Sequence, residues 1–262
     1  MERVFGCIPS PVDERDFTPQ TICMSTINIP DSYMIDDNYI IEDQSIYGTC
    51  VAHAISTALK YGDKKQKKTR KYYSKGYIYA NRKDTDYQGE GMIIREALKQ
   101  LNHCGDCEYT LFPYNNTYPV LKEKLSLSKE KCDKNATPNK ILNYFKIENI
   151  NDIKTALMTC GAVICALPVY SNFNGNITLP PSGEESLGNH AMCLVGWDKT
   201  GWIIQNSWGK DFGNNGLTHV SYDYPFNEWW GFNVSINEKN NVLGNILRTI
   251  KNIFFKLVKW VK

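Results

Sequence analysis

The chain has 262 residues, 42% hydrophobic, 12% aromatic and 22% charged, with 30 basic against 28 acidic side chains. This composition excludes a disordered, collagen-like or polytopic membrane protein and leaves room for one large domain or two close lobes. A net charge of +2 gives no general electrostatic case for binding nucleic acid, and none is expected as a partner.

Residues 1–27 are punctuated by Pro9, Pro11 and Pro19 and carry neither helical nor strand periodicity, so they read as an extended leader lying on the surface of the rest. The first residues lack the apolar run of a secretory signal, which points to synthesis in the cytosol. A first helix is expected over 50–61, with Val51, Ala54, Ile55, Ala58 and Leu59 on one side and Gly62 as its stop. The basic run 64–71 is expected to be a solvated loop, and a second helix is expected over 92–101. Beyond about residue 140 come short β-rich runs at 162–167, 191–197, 202–206, 217–220 and 231–236, with a hairpin turn at Asp198-Lys199-Thr200-Gly201. Helices followed by strands imply an α+β fold with two lobes, and a cleft between lobes is where a substrate site belongs.

The last stretch, 246–262, sets Ile246, Leu247, Ile250, Ile253, Phe254, Leu257, Trp260 and Val261 at helical spacing against Arg248, Lys251, Lys256 and Lys259. It reads as a basic amphipathic helix, too short and too charged to span a bilayer. It is expected either to dock on the protein's own body or to touch a membrane surface or a partner.

Cys50 opens the first predicted helix, where the positive end of the helix dipole favours a thiolate. Gln44 lies six residues before it in Gln44-Ser45-Ile46-Tyr47-Gly48-Thr49-Cys50. His190 opens a predicted strand in Asn189-His190-Ala191-Met192, and Asn206 follows in Asn206-Ser207-Trp208-Gly209. In this order and these contexts the four residues resemble the papain family of cysteine peptidases. The leader Pro9-Ser10-Pro11-Val12-Asp13 resembles that family's bacterial branch typified by xylellain.

The resemblance implies a papain-like two-lobe fold: a helical lobe over about 45–135, a β-barrel-like lobe over about 136–240, and the cleft between them. The leader of 1–27 and the tail of 241–262 flank this peptidase domain of 28–240. The resemblance further implies a Cys50 thiolate paired with a His190 imidazolium, Asn206 orienting the ring, and an oxyanion hole from Gln44 and the Cys50 N–H. Gly89 or Gly91, with Gly91 preferred, would let an extended substrate pair with the cleft wall, and Met92, Asn189 and Ala191 would bound the pocket. Trp208 would shield the His190–Asn206 bond. The expected product is a monomeric, cytosolic endopeptidase acting on protein or peptide substrates, with the leader limiting access to the cleft. No cofactor and no metal is expected. Another cysteine-dependent acyl transferase, such as a transpeptidase or amidase, and a silent papain-fold binding or membrane-surface protein are the alternatives.

Two further features compete for chemistry. His53 lies three residues after Cys50 and is a rival base, although a side chain at that offset points along the helix wall. His103-Cys104-Gly105-Asp106-Cys107 has the spacing of half a zinc site, but no second pair completes it. With nine cysteines, disulfide pairing stays open.

Overall fold

The structure is a computed structural model. It describes residues 3–18, 27–37, 40–67, 69, 71–83, 89–114 and 117–234. The expected amphipathic tail of 246–262 lies outside the described residues.

Four helices dominate the first half: α1 (Cys50–Lys67), α2 (Lys75–Ala80), α3 (Ile94–Cys104) and α4 (Tyr118–Ala136). Short strands β1 (Cys7–Ile8), β2 (Tyr33–Met34) and β3 (Met92–Ile93) accompany them. The second half holds β4 (Ile141–Ile147), helix α5 (Ile150–Cys160), β5 (Val163–Val169), β6 (Asn176–Ile177), β7 (Gly188–Trp197), β8 (Gly201–Gln205), β9 (Leu217–Ser221) and β10 (Glu228–Val234). Local chemistry sets several boundaries. Asn149 caps α5 by accepting the Asp152 N–H at 2.9 Å, and Gly161 ends it in the left-handed region at φ 71°. Pro119 sits in the first turn of α4, where a missing N–H costs nothing.

The first helix runs one and a half turns beyond its predicted stop at Gly62. That glycine faces the protein, and a Cβ there would stand 3.1 Å from Val234 and 3.2 Å from Ala162. It marks close packing inside the helix. Gln66 then fastens the last turn, donating to the Cys160 carbonyl at 2.7 Å and accepting the Val234 N–H at 3.1 Å. The basic run therefore begins inside α1, not in a solvated loop. Lys60 and Lys64 lie 3.6 and 3.8 Å from the fully buried Asp37 carboxylate.

One large sheet runs in the order β4-β10-β5-β7-β8-β9-β6, with β2 pairing the end of β7. Among the described residues it is an open path with β4 and β6 at its ends, so the expected barrel does not close. Its ladders are antiparallel except for β6 with β9. β5 is buried along its whole length, as a central strand covered on both faces must be. α1 packs against β7, which brings the start of the helix and the start of the strand to one place. Among the described residues no helix is long and apolar enough to cross a membrane.

Candidate active site

Cys50 is the first residue of α1, reached through a tight turn in which Ser45 adopts a left-handed φ of 59°. The Thr49 N–H donates to the Tyr47 carbonyl at 2.9 Å, and the His53 N–H begins the helix on the Thr49 carbonyl at 3.1 Å. Gln44 opens this turn. Its backbone N–H donates to Ser207 O at 2.8 Å, and its side-chain oxygen accepts the Ser207 hydroxyl at 2.7 Å. Its Nε2 donates one hydrogen to Tyr47 O at 2.9 Å, leaving the second for another acceptor.

His190 lies on β7 and Asn206 just after β8. The antiparallel register that sets Cys193 opposite Gln205 carries the chain to Asn206 beside His190. His190 Nε2 and Asn206 Oδ1 are 2.8 Å apart. The same oxygen accepts the Ser207 N–H at 2.7 Å, so it is the acceptor and Nε2 carries the hydrogen. Nδ1, buried and without a hydrogen-bond partner among the described residues, is left with its lone pair free. Trp208 covers this bond with its ring centroid 4.7 Å from that of His190, and Phe173 closes the roof 5.3 Å from Trp208. Phe173 carries no local signal in the sequence.

Burial governs the electrostatics. It pushes the Cys50 thiol up to about 11, although the N–H groups of Ala191, Gly6 and Val51 face the sulfur and pull it back. It lowers His190 to about 4, with Arg3 and His53 acting in the same direction against the Asn206 bond. Burial beneath the leader thus works against the thiolate–imidazolium pair that the resemblance implies.

The cover is the leader. Its Gly6 carbonyl accepts the Met92 N–H at 2.8 Å, and β1 continues from there parallel to β3, with Cys7 opposite Met92. The Val4 N–H donates to Ile46 O at 3.0 Å. Arg3 donates to the Asp43 carboxylate at 3.0 Å and to Ser45 O at 2.7 Å, with its guanidinium 5.2 Å from the Trp208 ring. Farther along, the Ser10 N–H reaches Glu228 at 3.2 Å and the buried Arg95 grips Asp16, donating from Nε at 2.7 Å. Cys50 and His190 are both 0% exposed beneath this segment. What the leader turns to the sulfur is the Gly6 N–H, which is not an electrophile.

The predicted cleft wall meets the leader residue by residue. A Cβ at Gly91 would stand 2.6 Å from the Gly6 carbonyl oxygen, and one at Gly188 would stand 2.8 Å from the Phe5 Cβ. Ala191 turns its N–H to Cys50, and Asn189 accepts from Asn227 at 2.9 Å. The backbone pairing falls on Met92 rather than on Gly89 or Gly91. Gly89 has open space where a Cβ would go.

His53 turns away from the sulfur. Its Nδ1 lies 3.0 Å from Thr49 O, its Nε2 lies 3.8 Å from the Glu42 carboxylate, and Tyr114 packs edge-on at 4.9 Å. Burial lowers it to about 4. The Cys104–Cys107 motif does not converge: Cys104 is exposed at the end of α3, whereas Cys107 is buried. Among the described residues no group of three metal-ligating side chains gathers, and the eight described cysteines are free thiols.

The structure thus places a cysteine at a helix start, a histidine on a strand packed against that helix, an amide bonded to the histidine and an amide opening the turn before the cysteine. The family model for papain family cysteine proteases matches residues 34–230, and the chain belongs to that family. It is 28% identical over 264 residues to an uncharacterized peptidase C1-like protein of Acanthamoeba polyphaga mimivirus, covering 87% of this chain and 84% of that one. It is 27% identical over 231 residues to a viral cathepsin of Adoxophyes honmai nucleopolyhedrovirus, covering 81% of this chain and 60% of the cathepsin. Among solved structures it matches xylellain, a cysteine protease from Xylella fastidiosa, with a TM-score of 0.74 at 25% identity, over 88% of this chain and 96% of the other. Procathepsin B S9 from Trypanosoma congolense shares the fold at 16% identity, with a TM-score of 0.67 over 88% of this chain and 86% of that one.

Proposed function

We propose that this cysteine peptidase is a latent endopeptidase in which Cys50 is the nucleophile, His190 the general base and acid, Asn206 the group that orients His190, and Gln44 an oxyanion donor. The observation that carries the reading is the His190 tautomer. Asn206 holds the hydrogen on Nε2, so Nδ1 is the nitrogen free to take the Cys50 proton.

When the leader leaves the cleft, water and substrate dipoles replace the apolar cover, and proton transfer from Sγ to Nδ1 becomes favourable. The thiolate attacks the peptide carbonyl carbon, forming the C–S bond while the carbonyl oxygen gains the negative charge. That oxygen is received by the Cys50 N–H and the second Nε2 hydrogen of Gln44. Collapse breaks the C–N bond, and the Nδ1 proton goes to the departing amine. Water then gives a proton to Nδ1 and attacks the thioester carbon, the C–S bond breaks as the acid product leaves, and the Nδ1 proton returns to the sulfur. Trp208 keeps bulk water from the His190–Asn206 bond through both steps.

The test is titration with an irreversible thiol probe before and after limited proteolysis of the leader, with mapping of the site whose labelling appears only after the cut. Selective labelling of Cys50, lost in His190→Ala, together with cleavage of a denatured protein substrate that is lost in Cys50→Ala, is expected. Uniform labelling of several thiols, or cleavage that survives in Cys50→Ala, would overturn the assignment.

A further inference from the structure

Gly89 and Gly91 both adopt positive φ, at 86° and 115°, and so form a turn that directs their carbonyls back into the protein. Both carbonyls are taken by one side chain. Arg82 donates from Nη1 to Gly91 O at 2.8 Å and from Nη2 to Gly89 O at 2.5 Å. Its guanidinium lies over Tyr118 at 3.8 Å and over Tyr79 at 4.8 Å, and the Tyr79 hydroxyl accepts the Gly91 N–H at 3.1 Å. Gly91 therefore has its N–H taken and its carbonyl already engaged. The first free N–H on that edge is Met92's, and the leader's Gly6 carbonyl takes it.

Between the two glycines, Glu90 points the other way. Its carboxylate accepts the N–H of Gly48 at 2.6 Å, two residues before the nucleophile. One short turn is thus anchored on the helical lobe by Arg82 and reaches, through Glu90, the loop that delivers Cys50. A charge-assisted bond of this kind is among the stronger hydrogen bonds a protein makes.

We propose that Arg82 and Glu90 are positioning residues for peptide binding: together they fix the distance between the strand edge at Met92, where an extended chain pairs, and the turn that carries Cys50. Neither touches the reacting atoms. Arg82 holds the wall, and Glu90 ties the wall to Gly48. This goes beyond the peptidase reading but rests on it for its kinetic consequence.

The experiment uses the full chain as wild type, Arg82→Ala, Arg82→Lys, Glu90→Ala and Glu90→Gln. Two readouts are taken: amide hydrogen exchange at Gly48 and Met92, and steady-state cleavage of a peptide long enough to reach Met92. Glu90→Ala is expected to speed exchange at Met92 as well as at Gly48 by about tenfold, and Arg82→Ala to speed both likewise, because each removes one link of the same chain of bonds. Cleavage should lose mainly through KM, with kcat little changed. Glu90→Gln keeps a neutral acceptor oxygen and should recover part of the loss, and Arg82→Lys, reaching one carbonyl, should likewise fall between. If Arg82→Ala fails to fold, the Glu90 pair and Arg82→Lys decide. Exchange at Met92 untouched by Glu90→Ala, Glu90→Gln as impaired as Glu90→Ala, or a fall in kcat at constant KM would each overturn the proposal. A wild-type chain that turns over no peptide even after its leader has been cut would sink the peptidase reading and leave the exchange data to judge the brace.

Discussion

Gly6 packs onto Gly48 so closely that a Cβ added to Gly6 would stand 2.0 Å from the Gly48 carbonyl oxygen. The obstacle is backbone, not a flexible side-chain end, so no rotamer change relieves it. Gly6→Ala must therefore lift the leader from the cleft or displace the turn before Cys50. We expect about 5- to 150-fold faster alkylation of Cys50 in the full chain, on the scale of overpacking costs of about 1–3 kcal/mol. Timed iodoacetamide labelling read by mass spectrometry checks this, and a rate equal to wild type would show that the leader does not guard the thiol.

Arg3 is a softer contact. Its partner Asp43 is half exposed, at 52%, and Arg3 itself is 30% exposed, so solvent discounts the ion pair. Arg3→Ala should loosen the leader by about 1 kcal/mol or less, a several-fold rise in Cys50 labelling that shrinks as salt is added to the wild type. A salt-independent wild-type rate would place the anchoring elsewhere, at Asp16 and Arg95.

Acid should open the cleft. His190 is held neutral beneath the leader, with its pKa lowered from 6.5 to about 4 by burial. A group with a depressed folded-state pKa supports the covered state above its free value and withdraws that support as pH falls. Between pH 6.5 and about 4 the uncovered state binds the extra proton, and the covered state loses up to about 3 kcal/mol. His53, also lowered to about 4, makes the same demand on the fold as a whole. Proteolytic susceptibility of the leader, followed from pH 7 to 4, should rise before global unfolding is seen by circular dichroism, and His190→Ala should flatten the rise. At the alkaline end Cys50, raised to about 11, should keep the covered thiol slow to alkylate at pH 8 to 9.

Gln44 is tied to Ser207 and Tyr47, so its amide enters the site already oriented. Removing such a donor costs about 2.7–4 kcal/mol at the transition state, and Gln44→Ala should lower kcat by about 10²–10³ with KM nearly constant. Kinetics beside a thermal melt separate this from misfolding: a large fall in KM-limited turnover with kcat intact would remove Gln44 from the oxyanion hole.

The four residues to which the proposal gives catalytic roles could be singled out because each sits in a short local pattern: a helix start for Cys50, a strand start for His190, and compact turns for Gln44 and Asn206. The edge on which the leader pairs was not legible to the residue. Whether Gly91 or Met92 offers its N–H depends on Arg82 and Tyr79 having occupied the glycine, a contact between segments that no local spacing encodes. Phe173 was invisible for the same reason, being brought to Trp208 by the loop after β5. Gly62 misled because a glycine after an apolar stripe usually ends a helix, whereas here Ala162 and Val234 need the room.

The leader is fastened at two ends, by Arg3 near the nucleophile's turn and by Asp16 on Arg95, and a single covalent chain joins the blocking strand to the domain it blocks. While that chain is whole, the blocker faces its cleft at an effective concentration of about millimolar, whatever the dilution of the protein. A cut after the blocking strand would turn it into an ordinary dissociable ligand obeying mass action. Latency would then fade on dilution and return on crowding, so the same molecule could behave as a fixed lock or as a rheostat according to the integrity of one stretch of backbone.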